Sequence, residues 1–197
     1  MGQSFESTSL TLLARVQADE AEAWDRLVEL YAPLVHYWCR RSDLSTEDTE
    51  DVFQDVFRSV AQKVSTFRKE KQSDSFRGWL RTITGNKIRD QFRRQAGKAV
   101  AKGGTDAQFH LQAVPDPFQD TDDGEEQVIQ QTVRQALNWI KDDFEEQTWQ
   151  AFWKNQIEGQ ATDVIGEELG MTPAAVRKAK YRVLQRLREE LEGVLEW

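Results

Sequence analysis

The chain has 197 residues, a formal net charge of -8, 39% hydrophobic residues, seven Trp, ten Phe and one cysteine. That length suits one ordinary domain or two small ones, and this apolar content excludes a wholly disordered chain. One cysteine excludes a disulfide framework and suits a reducing compartment, and no stretch stays apolar for the roughly 20 residues that a membrane span requires.

The N-terminal "MGQSFESTSL" has no basic-then-apolar leader, and Glu6 breaks the myristoylation pattern, so a soluble, cytoplasmic protein without membrane insertion is expected. Trp24, Leu27, Val28, Tyr31, Leu34, Val35 and Trp38 recur at spacings of three and four, which predicts a helix with one buried stripe and Cys39 as core filler at its end. "TEDTEDVFQDVFRSVAQKV" repeats the pattern through Val52, Phe53, Val56, Phe57, Val60 and Val64, with Ser45 or Thr46 as its cap. "STFRKEKQSDS" reads as a loop. "FRGWLRTITGNKIRDQFRRQ" is helical again, with Trp79, Leu80, Ile83, Ile88 and Phe92 as its apolar positions. From about Ala99 to Gln127, glycines and prolines end the periodicity, and seven acids between Thr105 and Glu126 stand without a Lys or Arg. Helical pattern returns with Val128, Val133, Leu137 and Ile140 and continues towards the C-terminus. With only four Pro and eleven Gly beside runs rich in Ala, Leu, Glu and Lys, the expected fold class is all-α. Two small helical domains, 9–98 and 128–197, are joined by a flexible acidic linker, 99–127.

Charge is sorted along the chain. Residues 77–102 hold eight Lys or Arg against the single acid Asp90, residues 171–188 hold six against none, and residues 43–55 hold six acids and no Lys or Arg. Any one such run is ordinarily a solvated helix face. Two basic helices, one in each domain, point instead to local contact with phosphates in a protein whose net charge repels nucleic acid at long range.

"GQATDVIGEELGMTPAAVRKAKYRVLQRL" has the form of a helix, a glycine-containing turn and a second helix. Val164, Ile165 and Leu169 supply the first helix's buried face, and Gly170 suits the left-handed conformation that ends it. Thr172 is an N-cap, and Pro173 fits the first helical position, where its missing N–H costs nothing. Val176, Val183, Leu184, Leu187 and Leu191 are expected to face inward. That leaves Arg177, Lys178, Lys180, Tyr181 and Arg182 outward near the helix start, the end a recognition helix pushes into the major groove.

The stretches "EDVFQDVFRSV" and "FRGWLRTITGNKIRDQFRR", followed by this helix-turn-helix, resemble the extracytoplasmic-function (ECF) class of the sigma-70 family of bacterial RNA polymerase sigma factors. The likeness runs from about Ala21 to Arg94 and again from about Val128 to Leu191. It implies two partners, core RNA polymerase and promoter DNA, the latter duplex at the -35 element and partly single-stranded at the -10 element. Family members are often held by an anti-sigma factor as well, and no residue here identifies one. The "ED..Q..F" pattern places polymerase docking on Glu50, Asp51, Gln54, Asp55 and Phe57. The "F..WL..I..N...D..R" pattern falls on Phe76, Trp79, Leu80, Ile83, Asn86, Asp90 and Arg93. It implies -10 contacts by Asn86, Arg89, Asp90, Arg93 and Arg94, with Lys63, Phe67 and Arg68 beside the loop that captures a flipped base. Trp79 is open to two readings, a stacking platform or a core residue. The acidic linker is likewise open to two, a plain tether or a nucleic-acid mimic in the polymerase's RNA channel. The -35 contacts implied are Thr172, Ala175, Arg177, Lys178, Lys180, Tyr181 and Arg182. Two departures stand out: Ala161 replaces a usual Ser or Thr, and Ile165 replaces a usual small residue, which predicts a weaker cap and an altered angle between the two helices.

Catalysis is not expected of this chain. His36 and His110 with Cys39 give no zinc spacing, and there is no phosphate-binding glycine loop and no nucleophile elbow, so neither metal nor cofactor is expected. Two rival functions are a stand-alone helix-turn-helix regulator, which would dimerise, and a protein-binding adaptor that has lost DNA binding.

Overall fold

The computed structural model describes residues 11–68, 75–101 and 123–191, the side chains of 98–101 and 123 excepted. Regular structure among the described residues is helical. In chain order it comprises α1 (Leu12–Gln17), α2 (Ala21–Arg40), α3 (Thr46–Lys63), α4 (Phe76–Ala101), α5 (Asp123–Ile140), α6 (Glu146–Gln156), α7 (Thr162–Leu169) and α8 (Pro173–Glu190). Single 3-10 turns at Val64–Thr66 and Lys141–Asp143 follow α3 and α5. The chain forms two compact units, an N-terminal one over residues 13–132 and a C-terminal one over 133–192, so the division falls within α5.

The N-terminal unit is built from the stripes of α2, α3 and α4. On α2 the buried residues are Ala23, Leu27, Leu30, Tyr31, Leu34, Val35, Trp38 and Cys39, at helical spacing along one face. Trp24 and Val28 lie only half-buried at its flank. Burial pushes the Cys39 thiol up to about 12, with the charge of Glu50 adding to the effect, so this cysteine is packing material without nucleophilic character. On α3, Ser45 is the cap: its Oγ accepts from the Asp48 N–H at 3.1 Å. Val52, Val56, Phe57 and Val60 then face inward against Phe76, Leu80, Ile83 and Ile88 of α4. Buried Gln91 on α4 donates to the Asp48 carboxylate, which ties the two helices at the capped end of α3.

The short helix α1 lies outside the first stripe expected from sequence. Six residues give too few turns for a period to show. Its Gln17 Nε2 donates to the carbonyls of Val64 at 2.9 Å and Phe67 at 3.0 Å, satisfying backbone acceptors where α3 ends.

In the C-terminal unit, α6, α7 and α8 pack on one another around Ala151, Ile165, Val176 and Ala179, with Leu169 and Met171 at the edge. Ala179 is buried, whereas Leu184, expected inside, is only half-buried. The described residues reach into both ends of the stretch expected as a linker, 99–127. Ala99–Ala101 continue α4 and Asp123–Gln127 open α5, while the rest of that stretch lies outside the described residues.

Candidate nucleic-acid interface

The turn of the helix-turn-helix is set by two glycines with different tasks. Gly170 takes φ +65° and ψ 32°, a left-handed conformation that costs a residue without Cβ little. The Met171 N–H then reaches back to the Gly166 carbonyl at 2.8 Å, a six-to-one closure of the helix end. Gly166 is where the turn crosses the helix. A Cβ built there would stand 2.6 Å from the Met171 carbonyl oxygen. The position demanding a small residue is therefore Gly166, and Ile165 beside it is fully buried core. Ala161 precedes α7 with no side-chain cap, as its missing hydroxyl predicts. Gln147 Nε2 donates to the Leu169 carbonyl at 2.7 Å and so satisfies one of the free acceptors at the other end of α7.

At the start of α8, the Thr172 hydroxyl accepts from the Ala175 N–H at 3.1 Å, and Pro173 occupies the first turn. Thr172 thus serves its own helix, a cap of a kind that contributes about 1 kcal/mol. Ala175 and Lys180 are half-buried, while Arg177, Lys178 and Arg182 are exposed and the Tyr181 ring is 61% exposed. Among the described residues, none of Arg177, Lys178, Lys180 and Arg182 enters an ion pair or hydrogen bond. The last two basic residues of the run differ. Arg186 bonds Asp143 at 3.0 Å and Glu190 at 2.5 Å. Burial pulls its guanidinium down, but Glu190 and Asp143 together outweigh this and hold it above its ordinary value. Arg188 is also engaged. Among the described residues, four of the six basic side chains are therefore without a partner, while Arg186 and Arg188 are engaged.

In the N-terminal unit, Trp79, Asn86, Asp90 and Arg93 return to one side of α4 at 3.6 residues per turn. Asn86, Arg89, Asp90, Arg93 and Arg94 are all exposed. They are partly engaged with one another: Arg89 donates to the neutral amide oxygen Asn86 Oδ1 at 2.7 Å, and Arg93 pairs with Asp90 at 3.0 Å. Exposed pairs of this kind are worth little, and a phosphate can displace them readily. Trp79 falls between its two readings. It is half-buried and packs against Phe67 at 5.2 Å and Phe76 at 5.3 Å, so one part of the ring is core and the remainder reaches solvent. Phe67 joins the same cluster, 5.6 Å from Phe76 and edge-on to it. Arg68 folds back to donate to the carbonyls of Ser65 and Phe67, and Lys63 is exposed at the end of α3.

On α3, Glu50, Asp51 and Gln54 form an exposed polar surface, while Asp55 is half-buried and bonds Arg58 at 2.7 Å and Arg94 at 3.0 Å. Phe57 does not belong to that surface. It is 6% exposed, 4.8 Å from Phe53 and 6.4 Å from Trp24 between ring centroids, so its part is to fix α3 in the core. Phe57→Ala is expected to cost about 3–5 kcal/mol of stability by leaving a cavity. Gln54→Ala is expected to stay within about 0.5 kcal/mol of the parent and, by the docking role that the resemblance implies, to weaken polymerase binding. Thermal melting beside a pull-down on core polymerase separates the two; equal melting temperatures would place Phe57 outside the core.

Three features escaped the reading of the sequence: the close approach at Gly166, the stacking of His36 on Phe53 at 4.5 Å, and an ion pair between Arg77 and Glu125. Only the first carried a local signal, a glycine inside a helical pattern. No group of three His, Cys, Asp or Glu among the described residues is arranged to hold a metal ion, and no described helix is long and apolar enough to cross a membrane.

The sigma-70 region 2 family matches residues 27–98, the span from α2 through nearly all of α4. The chain is 27% identical over 177 residues to the ECF RNA polymerase sigma factor SigE of Mycolicibacterium smegmatis, covering 86% of this chain and 62% of that protein. It is also 27% identical over 184 residues to the RNA polymerase sigma factor CarQ of Myxococcus xanthus, covering 93% of this chain and 97% of that one. Residues 27–98 are thus a sigma-70 region 2 domain, a helix-turn-helix follows it, and the chain is similar over most of its length to these two sigma factors.

Proposed function

We propose that the chain is a sigma factor that directs core RNA polymerase to particular promoters and assists melting at the -10 element. The unit from about residue 9 to 98 holds polymerase through Glu50, Asp51, Gln54 and Asp55. It meets the -10 element through the α4 face of Asn86, Arg89, Asp90, Arg93 and Arg94, with Trp79 and Phe67 offering ring faces to an unstacked base. The C-terminal unit reads the -35 duplex with α8. The observation that carries this reading is the set of four basic side chains at the start of α8 that have no partner among the described residues, downstream of a region 2 domain. Catalysis would belong to the polymerase, and the protein would work in the cytoplasm without metal or cofactor. The stretch between the units remains open to both readings, tether or nucleic-acid mimic.

Run-off transcription on a pooled promoter library, with core polymerase alone and with this protein added, tests the proposal. Protein-dependent transcripts sharing two sequence blocks are the expected result. Tight duplex binding by the free protein, without such transcripts, would favour a stand-alone regulator; polymerase binding without transcripts would favour an adaptor.

A further inference from the structure

The far end of α8 carries a cluster of charges built around Arg186. Each nitrogen of its guanidinium faces a different carboxylate: Nε lies 3.0 Å from Asp143, one Nη 2.5 Å from Glu190 and the other 4.0 Å from Glu189. The Glu190 side chain is 2% exposed, so its pair with Arg186 belongs to the packing of the unit and is no surface encounter. Asp143 comes from outside the helix, from the 3-10 turn after α5, 43 residues away in sequence. One arginine among three acids is poor ground for a phosphate, which the surplus of negative charge repels.

What the cluster does supply is a second hold on α8. Helix α7 has eight residues, about 12 Å, whereas α8 has eighteen, about 27 Å. The crossing at Gly166 and the core of Ala151, Ile165, Val176 and Ala179 grip only the first two turns of α8. Val183 and Leu187 continue the buried line, but apolar contact is non-directional. A charge-assisted fork has a fixed geometry and so sets a direction. Along the axis, Arg177 and Arg182 are about 7.5 Å apart. A tilt of about 10° around the start of the helix would move Arg182 by about 1.3 Å relative to Arg177. Binding groups need to be held within about 0.5 Å.

We propose that Arg186 is a positioning residue for promoter recognition: through Asp143 and Glu190 it fixes the direction of α8, and so sets how sharply the helix tells one -35 sequence from another, without touching DNA itself. This rests on the sigma-factor reading above, in which α8 meets the -35 duplex. The task calls for a guanidinium. A lysine ammonium is a point charge that can answer buried Glu190, but it has no planar fork with which to hold Asp143 at the same time.

The test uses the full chain bound to core polymerase. Its affinity is measured for a duplex bearing the -35 sequence recovered from the promoter library and for a duplex of scrambled sequence. Arg186→Lys and Asp143→Asn should each lower the ratio of the two affinities about tenfold, the worth of one base contact, by weakening the selected duplex alone. Asp143 is 47% exposed, so Asp143→Asn should melt with the parent. Glu168→Gln, which breaks the Lys154–Glu168 pair in the same unit, should leave the ratio unchanged. An unchanged ratio in either of the first two variants overturns the proposal. So does an equal loss on both duplexes, the mark of a phosphate contact, and so does a loss of ratio in Glu168→Gln, the mark of a general loosening. A parent protein that binds polymerase yet prefers no -35 sequence fails the sigma-factor reading itself, before any variant is compared.

Discussion

Replacing Arg177 and Lys178 together with alanine is expected to lower transcription from the protein's own promoters about a hundredfold, while the melting temperature barely moves. Both side chains are exposed and neither has a partner among the described residues, so the fold does not depend on them. Exposed substitutions of this kind stay within about 0.5 kcal/mol, and alanine is if anything the better helix former. A recognition-helix contact, by contrast, is worth about 1–3 kcal/mol, so two of them supply the loss. Polymerase binding should be nearly unchanged, because the α3 face proposed to dock there is untouched. Full activity in the double variant would remove α8 from promoter recognition and leave the adaptor as the better account.

Gly166→Ala is expected to destabilise the C-terminal unit by about 2 kcal/mol, a fall in its melting temperature of roughly ten degrees. Two effects oppose each other here. Alanine in a helix interior gains up to about 1 kcal/mol over glycine. The added Cβ, however, would stand 2.6 Å from the Met171 carbonyl oxygen, 3.6 Å from its carbon and 3.7 Å from the Pro173 nitrogen. All three are backbone atoms of the turn, and the turn is already closed by the 2.8 Å bond from Met171 to Gly166. Nothing flexible is available to give way, so the clash outweighs the propensity. Gly97→Ala serves as the reference, since a Cβ there meets nothing within 4 Å. Melting followed by circular dichroism decides the point; if both alanine variants were as stable as the parent, the turn would not cross α7 at Gly166.

The caps and stripes were legible in the sequence because they are local. Ser45, Thr172, Pro173 and Gly170 act within a few residues of themselves, and the stripe of α2 needs only a period. Residues whose roles depend on a distant partner were not legible. Phe57 sits in a motif associated with docking, yet the neighbouring rings of Phe53 and Trp24 make it core. Ile165 stands where the resemblance implies a small residue, yet it is buried core, and the close approach falls on Gly166 beside it, which is invisible until Met171 is placed. Glu125 belongs by composition to an acidic run, and a run of acids reads as solvated. Only the fold brings Arg77 to it.

The ion pairs of Arg186 bear on how DNA binding would respond to salt. Neutralising a duplex phosphate releases condensed counterions, and each such contact adds about 0.9 to the slope of log affinity against log salt. Counted from sequence, the six basic residues of α8 promise a slope near -5.4. With Arg186 held by Asp143 and Glu190, and Arg188 also engaged, four remain, and the slope expected for the helix is about -3.6. Fluorescence anisotropy of the polymerase-bound protein on a -35 duplex across a salt series measures it. An arginine already neutralised by the carboxylates of its own fold has no charge to spare for a phosphate, so the cations condensed at that phosphate stay on the DNA.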